Sequence, residues 1–263
     1  MDIIRIIISQ DYPRHNNKKL QLTTISCFTF TQNNGTMSAI ILQMRKLFYH
    51  YKESFSDKSF IFSLILNLIF LCLAFVVNYY TNYFATIRAS RSVTDLILDN
   101  INTYNVDWFY IWGAFFLVAI MAYSMVTNPK YLIFSLKTIS LFIVIRSLFT
   151  ILTHIGQPLN QLAVDTNLTY GSSFFFSNDL FFSGHAGLPF LMALIFWQDK
   201  FYKYLYLSLS VFLAIIVLLG HYHYSIDVFA AYFITYGIYK ISTRFFLSKN
   251  IFQKLGDRFS IGN

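Results

Sequence analysis

The sequence predicts an all-α fold, a polytopic membrane helix bundle with about six transmembrane helices. Of its 263 residues, 56% are hydrophobic and only 12% are charged, whereas about a quarter of the residues in a soluble domain are charged. The hydrophobic residues are gathered into long apolar segments, and most of the basic residues lie between those segments. These three observations exclude an ordinary soluble domain, a disordered chain and a low-complexity repeat.

Six segments are candidates for membrane spans, each close to the roughly 20 mostly apolar residues that a spanning helix needs. The first contains an almost continuous apolar run from Phe60 to Val77. The fourth is interrupted at its start by the run Ser183-Gly184-His185, and Pro189 is tolerable there if it falls in the first turn of the helix. The six segments are residues 60–80, 108–127, 131–153, 180–198, 203–221 and 225–247.

The basic residues predict which way the bundle faces, because Lys and Arg collect in the cytoplasmic loops of membrane proteins. With six spans, sixteen of the 20 Lys and Arg residues fall on the side that the termini share and two fall on the other side, while Lys137 and Arg146 lie within the third span. We therefore expect both termini to be cytoplasmic. The loops near residues 81–107, 154–179 and 221–225 should face the periplasm or a lumen.

The chain divides into three predicted regions. Residues 1–58 form a basic cytoplasmic segment. Residues 59–248 form the six-helix membrane domain, which contains the polar motifs described below, and residues 249–263 form a basic cytoplasmic tail. Because Met37 opens a basic, partly amphipathic lead-in to the first span, we hypothesise that translation starts there and that residues 1–36 are not native. N-terminal sequencing of the native protein that found earlier residues would contradict this hypothesis.

Composition also predicts location and partners. The abundance of Phe, Ile, Asn and Tyr suggests an AT-rich genome, so we expect an integral protein of a bacterial inner membrane. The net charge of +8 is explained by topology, and no nucleic-acid-binding motif accompanies it, so we expect no nucleic-acid partner. The two cysteines, Cys27 and Cys72, lie far from the motifs below and provide neither a disulfide framework nor a metal site.

Scarce polar residues converge on the predicted outer face. Ionisable residues in or beside membrane spans are costly and are usually functional. Arg146 lies about two-thirds of the way through the third span, towards that face. The other ionisable residues at the outer ends of the spans are His154, His185, His221, His223, Asp179 and Asp227.

The first polar cluster runs from Asp179 to His185 and contains Ser183 and Gly184. A Ser-Gly pair that opens a helix offers a hydroxyl, free backbone N–H groups and the partial positive charge of the helix start, which suit a phosphate group. The histidine that follows can donate a proton. The alternative interpretation of the same residues is an ordinary helix start with polar residues at its end and no function.

The second cluster contains His221, His223, Tyr224 and Asp227. His223 and Asp227 are four residues apart, so they meet on one face of a helix. A carboxylate that binds one imidazole nitrogen fixes the tautomer and leaves the other nitrogen as a base or nucleophile. The two clusters together suit phosphoryl transfer through a phosphohistidine. A structural His–Asp bond and a zinc site are the alternatives, although a Ser-Gly pair serves no metal.

At these residues the chain resembles the sphingomyelin synthase family, a branch of the type 2 phosphatidic acid phosphatase superfamily. The third motif of that family contains Asp-x-x-x-Ser-Gly-His, which here runs from Asp179 to His185. Its fourth motif is His-Tyr-Thr/Ser-x-Asp followed by an Ala-Tyr-Tyr/Phe-Ile-Thr stretch, and residues 223–235 read HYSIDVFAAYFIT. The proline-containing motif that the family carries between its first two spans is not matched, since residues 81–107 contain no proline.

The resemblance implies a role for each matching residue. His223 would be the nucleophile, Asp227 would orient it, and His185 would move the proton of the leaving and entering hydroxyl groups. The implied reaction moves a phosphocholine-like headgroup from a phospholipid donor to a lipid alcohol acceptor such as ceramide or diacylglycerol, and it requires no metal or other cofactor. The residues predicted to contact the substrate are Ser183, Gly184, Asp179, Arg146, His221 and Tyr224.

Two other functions remain open. A lipid phosphate phosphatase or a phospholipase-C-like hydrolase of the same superfamily would use water as the acceptor. Phosphatases of this kind hold a doubly charged monoester with a Lys-x-x-x-x-x-x-Arg-Pro string, which does not occur here, so charge counting favours a singly charged diester. A non-catalytic transporter is the third function, but transporters place their polar groups near the membrane midplane. Arg146 has its own alternative, a salt bridge to Asp179 or Asp165.

Overall fold

The computed structural model describes Arg45, Tyr51 and residues 55–158 and 180–246. Every element below lies in the compact unit that spans residues 49–263. Asp165, Asp179 and residues 1–36 lie outside the described residues, so the expectations for them remain predictions. The same holds for the predicted regional boundary at residue 248.

Within the described ranges the chain is all-helical and has no strand, which confirms the predicted fold class. A short 3-10 helix, Leu98–Asn100, lies in the connection between the first two α-helices. The six α-helices are α1 (Lys58–Ile87), α2 (Asp107–Thr127), α3 (Pro129–Leu152), α4 (Gly184–Ile195), α5 (Lys200–Leu219) and α6 (Ser225–Phe246).

Four of these helices, α1, α2, α3 and α5, are long and apolar enough to cross a membrane. The predicted fourth span, residues 180–198, is shorter than expected, because α4 has only 12 residues. At 1.5 Å per residue it is about 18 Å long, whereas the hydrocarbon core of a bilayer is about 30 Å thick. The helix α6 has 22 residues but is not among the four apolar spans.

Local sequence explains where the helices begin. The Asp57 side chain accepts a hydrogen bond from the Ser59 N–H at 2.9 Å and caps α1. The Asp199 side chain caps α5 in the same way through the Tyr202 N–H at 3.1 Å. Pro129 opens α3, where its fixed φ is already helical. Pro189 lies inside α4 as its sixth residue and not in the first turn, so the helix lacks one backbone donor there.

The core of the bundle is built around α3 and α4. In the apolar window of α3 56% of the residues are buried, against 11% in that of α1, so α1 lies at the edge of the bundle. A Cβ atom on Gly187 would stand 2.9 Å from the Phe142 ring and 3.0 Å from Thr235 Oγ1. A larger residue there would force α3, α4 and α6 apart. This close approach brings the starts of α4 and α6 together, at what we call the site end of the bundle.

Candidate active site

The start of α6 holds the histidine–aspartate pair. His223 Nδ1 lies 3.2 Å from Asp227 Oδ2, and both side chains are buried, with 2% and 0% of their surface exposed. The same Asp227 oxygen accepts a hydrogen bond from the Tyr224 N–H at 3.1 Å, which is how an acidic residue in the first turn stabilises a helix start. When Nδ1–H donates to Asp227, the Nε2 atom of His223 presents its lone pair. The pair can therefore supply an oriented nucleophile or base.

The start of α4 lies directly beside this pair. The Ser183 N–H donates a hydrogen bond to the Asp227 carbonyl oxygen at 3.3 Å, which joins the two motifs through the backbone. The Ser183 side chain is fully buried, and its Oγ has no hydrogen-bond partner among the described residues. Phe181, two residues earlier, has a φ of 98°, a conformation that strains a bulky residue. Such strain is often found at functional sites.

Arg146 of α3 reaches the same helix start. Its Nε donates to the Phe182 carbonyl oxygen at 2.8 Å, and its Nη1 lies 3.3 Å from Asn78 Oδ1 of α1. A Cβ atom on Gly184 would stand 3.5 Å from Arg146 Nε, so the guanidinium packs against the Gly184 backbone. A cation and a helix N-terminus therefore meet at one point, which is an arrangement that attracts an anion. The alternative partners of Arg146, Asp165 and Asp179, lie outside the described residues.

His185 faces the site from the first turn of α4. It is half-buried and lies close enough to His223 and Arg146 to interact with both electrostatically. Its ring stacks on Tyr110 of α2, with ring centroids 4.3 Å apart, and Tyr110 packs in turn against Tyr222 at 4.2 Å. The Tyr222 hydroxyl donates a hydrogen bond to the Asp107 carboxylate. Burial and this carboxylate raise the pKa of Tyr222 above its ordinary value.

His221 and Tyr224 lie beside the pair and are bonded to connecting loops. His221 is almost fully buried, has a φ of 54°, and its Nδ1 lies 3.3 Å from Thr103 Oγ1. Tyr224 is 1% exposed, and its hydroxyl donates to the Gly156 carbonyl oxygen at 2.9 Å and accepts from the Val93 N–H at 3.1 Å. Their predicted contacts with substrate stay predictions.

Sequence reasoning missed several residues that support the site. Tyr110 and Asp107 lie at the start of α2 with no spacing that connects them to His185. Asp95 was missed as well, although its Oδ2 accepts hydrogen bonds from the N–H and the hydroxyl of Ser225, the first residue of α6. Asn78 carried little signal, because α1 also contains Asn67 and Asn82 and Asn78 lies after the apolar run of that helix. Among the described residues no group of three or more His, Cys, Asp or Glu is placed to hold a metal ion.

The structure is a helical membrane bundle with a buried cluster of His223, Asp227, Ser183 and Arg146 at one end. Residues 177–244, about a quarter of the chain, match the family model described as PAP2 superfamily C-terminal. The match spans both histidine motifs and supports the type 2 phosphatidic acid phosphatase superfamily, whose members are typically phosphatases or phosphotransferases. It therefore supports an enzyme. No curated protein is similar enough to the chain to count as a match.

Proposed function

We propose that the protein is a membrane lipid headgroup phosphotransferase that works through a phosphohistidine on His223. One observation carries the proposal. The buried His223–Asp227 pair, bonded at 3.2 Å, lies beside a helix start against which the Arg146 guanidinium packs. Nucleophile, orienting carboxylate and anion site are thus within one small volume. The superfamily match supports this class of chemistry. The motif resemblance to sphingomyelin synthases is the reason for proposing a phosphocholine-like group as the group transferred.

The first half-reaction forms the phosphohistidine. The Nε2 lone pair of His223 attacks the phosphorus of the donor, an N–P bond forms and the P–O bond to the glycerol oxygen breaks. His185, which starts as the imidazolium, gives one ring proton to the departing oxygen and becomes neutral, so that diacylglycerol leaves as a neutral alcohol. Arg146, the Ser183 hydroxyl and the N–H groups at the start of α4 stabilise the charge that builds up on the phosphoryl oxygens. Asp227 stabilises the positive charge on the His223 ring.

The second half-reaction returns the histidine. The hydroxyl oxygen of the acceptor lipid attacks phosphorus, its proton passes to His185, and the N–P bond breaks. The products are the new phosphodiester and a neutral His223. Both histidines return to their starting protonation states, so no metal or other cofactor is needed to balance either step.

The charge of the site favours a phosphodiester as the donor. The site residues named above include one arginine and no lysine. A diester carries one negative charge and a monoester about two at neutral pH, so a single guanidinium together with a helix start matches the diester better.

Burial favours a lipid acceptor over water. His223, Asp227 and Ser183 are each no more than 2% exposed. A site that excludes water protects a reactive phosphohistidine from hydrolysis until an alcohol arrives. Hydrolysis is therefore the competing outcome, and the experiment below separates it from transfer.

The test uses purified protein with phosphatidylcholine that carries a labelled headgroup, with and without ceramide or diacylglycerol. We expect the label to move to the added acceptor, and His223→Ala to abolish this transfer by at least ~10³-fold. His154→Gln is the matched control, because that ring lies beside Phe84, outside the site. If the labelled headgroup is released into water and adding an acceptor lipid does not change this, the protein is a hydrolase. Unchanged activity in His223→Ala would refute the mechanism, and no turnover of any lipid would favour a transporter.

A further inference from the structure

Asn78 directly follows the apolar run of α1. That run, Phe60–Val77, gives α1 the highest mean hydropathy, 2.9, of the four candidate membrane spans. An amide placed in lipid costs several kcal/mol unless its polar atoms find partners. Asn78 is half-buried and turns towards α3, so its position needs a reason other than lipid contact.

The reason lies in its contacts. Asn78 Oδ1 is 3.3 Å from Arg146 Nη1 and 3.3 Å from Ser147 Oγ, both on α3. Arg146 also donates from Nε to the Phe182 carbonyl oxygen at 2.8 Å. Two acceptors on different sides of a planar guanidinium fix both its position and the direction of its plane. Asn78 thus holds one edge of Arg146 while another edge packs against the start of α4.

Both of these acceptors are neutral, and this matters for an anion site. A carboxylate in place of the Asn78 amide would accept the same hydrogen bonds but would also neutralise the guanidinium. The cation would then be less available to a phosphate oxygen. An amide orients the arginine and adds no negative charge beside it.

We propose that Asn78 is a positioning residue that aims Arg146 at the phosphate group of the substrate. This inference rests on the proposed function, in which Arg146 binds phosphate. It assigns to α1, a helix that carries no motif, a part in forming the anion site. It also predicts that the chemical nature of residue 78, amide or acid, sets the affinity for anions.

The test measures binding of inorganic phosphate to the full-length protein, from the rise in its thermal unfolding temperature as phosphate is added. We expect Asn78→Asp to weaken phosphate binding at least about tenfold, while its unfolding temperature without phosphate stays at or above that of wild type. Asn78→Ala should weaken binding several-fold through a loosened guanidinium. In the lipid assay the Asp variant should raise KM more than it lowers kcat.

The control is Asn67→Ala, which removes the same amide from the same helix 11 residues away, or about 16 Å along the axis. Asn67 donates to the Ser63 carbonyl oxygen of its own helix at 2.5 Å, so phosphate affinity should not change. A purely structural role for Asn78 predicts instead that the Asp variant binds phosphate as wild type does. That result, or a wild-type protein that binds no phosphate, would overturn the inference. If the variants at residue 78 change phosphate binding but the protein turns over no lipid, the proposed function is contradicted and the inference about Asn78 stands.

Discussion

Asp227 serves two neighbours through one carboxylate oxygen. Oδ2 accepts from His223 Nδ1 at 3.2 Å and from the Tyr224 N–H at 3.1 Å. The first bond orients the histidine and the second begins the helix, so under the proposed function chemistry and folding depend on the same atom. Replacing this residue therefore tests both, and the two effects can be separated by choosing an isosteric variant.

We expect Asp227→Asn to lower the rate of phosphohistidine formation by roughly 10²–10⁴ with little loss of stability. The amide oxygen can still accept the Tyr224 N–H, but it no longer stabilises the charge that develops on the His223 ring. Rapid-quench measurement of diacylglycerol release in the first turnover checks the rate, and thermal unfolding checks the fold. A full first-turnover rate in this variant would show that the carboxylate only caps the helix.

The two histidines should respond differently to the leaving group. We expect His185→Gln to lose activity on phosphatidylcholine but to retain much of its activity on nitrophenyl phosphocholine, because nitrophenolate departs without a proton. His223→Gln should lose activity on both donors, because the nucleophile itself is missing. Assays of both variants on both donors check this. Equal losses on the two donors in His185→Gln would remove His185 from the role of acid.

At the scale of the elements, the site depends on how two helix starts are held together. Asp95 of the connection between α1 and α2 bonds the N–H of Ser225 at 2.7 Å and its hydroxyl at 2.9 Å, and so caps α6 from 130 residues away. Its other oxygen accepts from the Ile97 and Leu98 N–H groups. Asp95 thus holds the connection between α1 and α2 against the start of α6, the helix that carries Asp227.

This cap should make stability depend on pH. Burial pushes the pKa of Asp95 up, but the N–H donors of Leu98 and Ser225 and the Ser225 hydroxyl outweigh it and hold the pKa below its ordinary value. The stabilisation is then complete above the ordinary carboxyl pKa of about 3.9 and is lost as pH falls through the lower folded value.

We therefore expect Asp95→Asn to destabilise the protein by about 1 kcal/mol near neutral pH, and this deficit should shrink as the pH falls below about 4. Unfolding temperatures of wild type and variant across that range provide the measurement. Asn100→Asp, at an exposed position of the same connection, is the control for a general charge effect. A deficit that stays constant with pH would mean that the Asp95 charge does not contribute.

Most helix bounds were predictable from the sequence. The segment 108–127 became Asp107–Thr127, and 225–247 became Ser225–Phe246. The bounds of the fourth segment, 180–198, were too wide, because hydropathy does not reveal the left-handed conformation of Phe181 or the turn at residues 196–198. Spacing predicted that His223 and Asp227 meet on one face of a helix. The 3.2 Å contact confirms that they meet, but His223 lies two residues before α6 and reaches Asp227 from the turn. The functional roles of the site residues stay predictions.

The other contacts of the site come from packing between helices, which the spacing of residues along the sequence does not predict. Arg146 and Gly184 are 38 positions apart and meet because Gly187 lets α4 approach α3. The stack of His185 on Tyr110 depends on the tilt of α2, and the Asn78 contact depends on which face α1 turns to α3. Each of these pairs joins separate helices with no periodicity in common. Only the three-dimensional arrangement identifies them.

At the scale of the whole molecule, the charge distribution still predicts an orientation that needs a direct test. In a background with Cys27→Ser and Cys72→Ser, we expect Leu96→Cys to react with a membrane-impermeant maleimide on intact cells. Leu96 is 84% exposed in the connection at the site end. Gln198→Cys, in the exposed turn between α4 and α5, should react only after the membrane is permeabilised. The reverse pattern would place the termini outside and contradict the positive-inside argument.

The shortness of α4 has a consequence for where its first N–H groups lie. The helix α4 packs along α5, and a tight turn at residues 196–199 joins them. Because α5 has 20 residues and α4 has 12, α5 extends about 12 Å beyond the first residue of α4. The first N–H groups of α4 therefore lie inside the bundle, below the end of α5, and the stack of Tyr222 on Tyr110 and of Tyr110 on His185 packs beside them. A helix of full membrane-spanning length would place the same N–H groups, and the partial positive charge of the helix start, at the membrane surface.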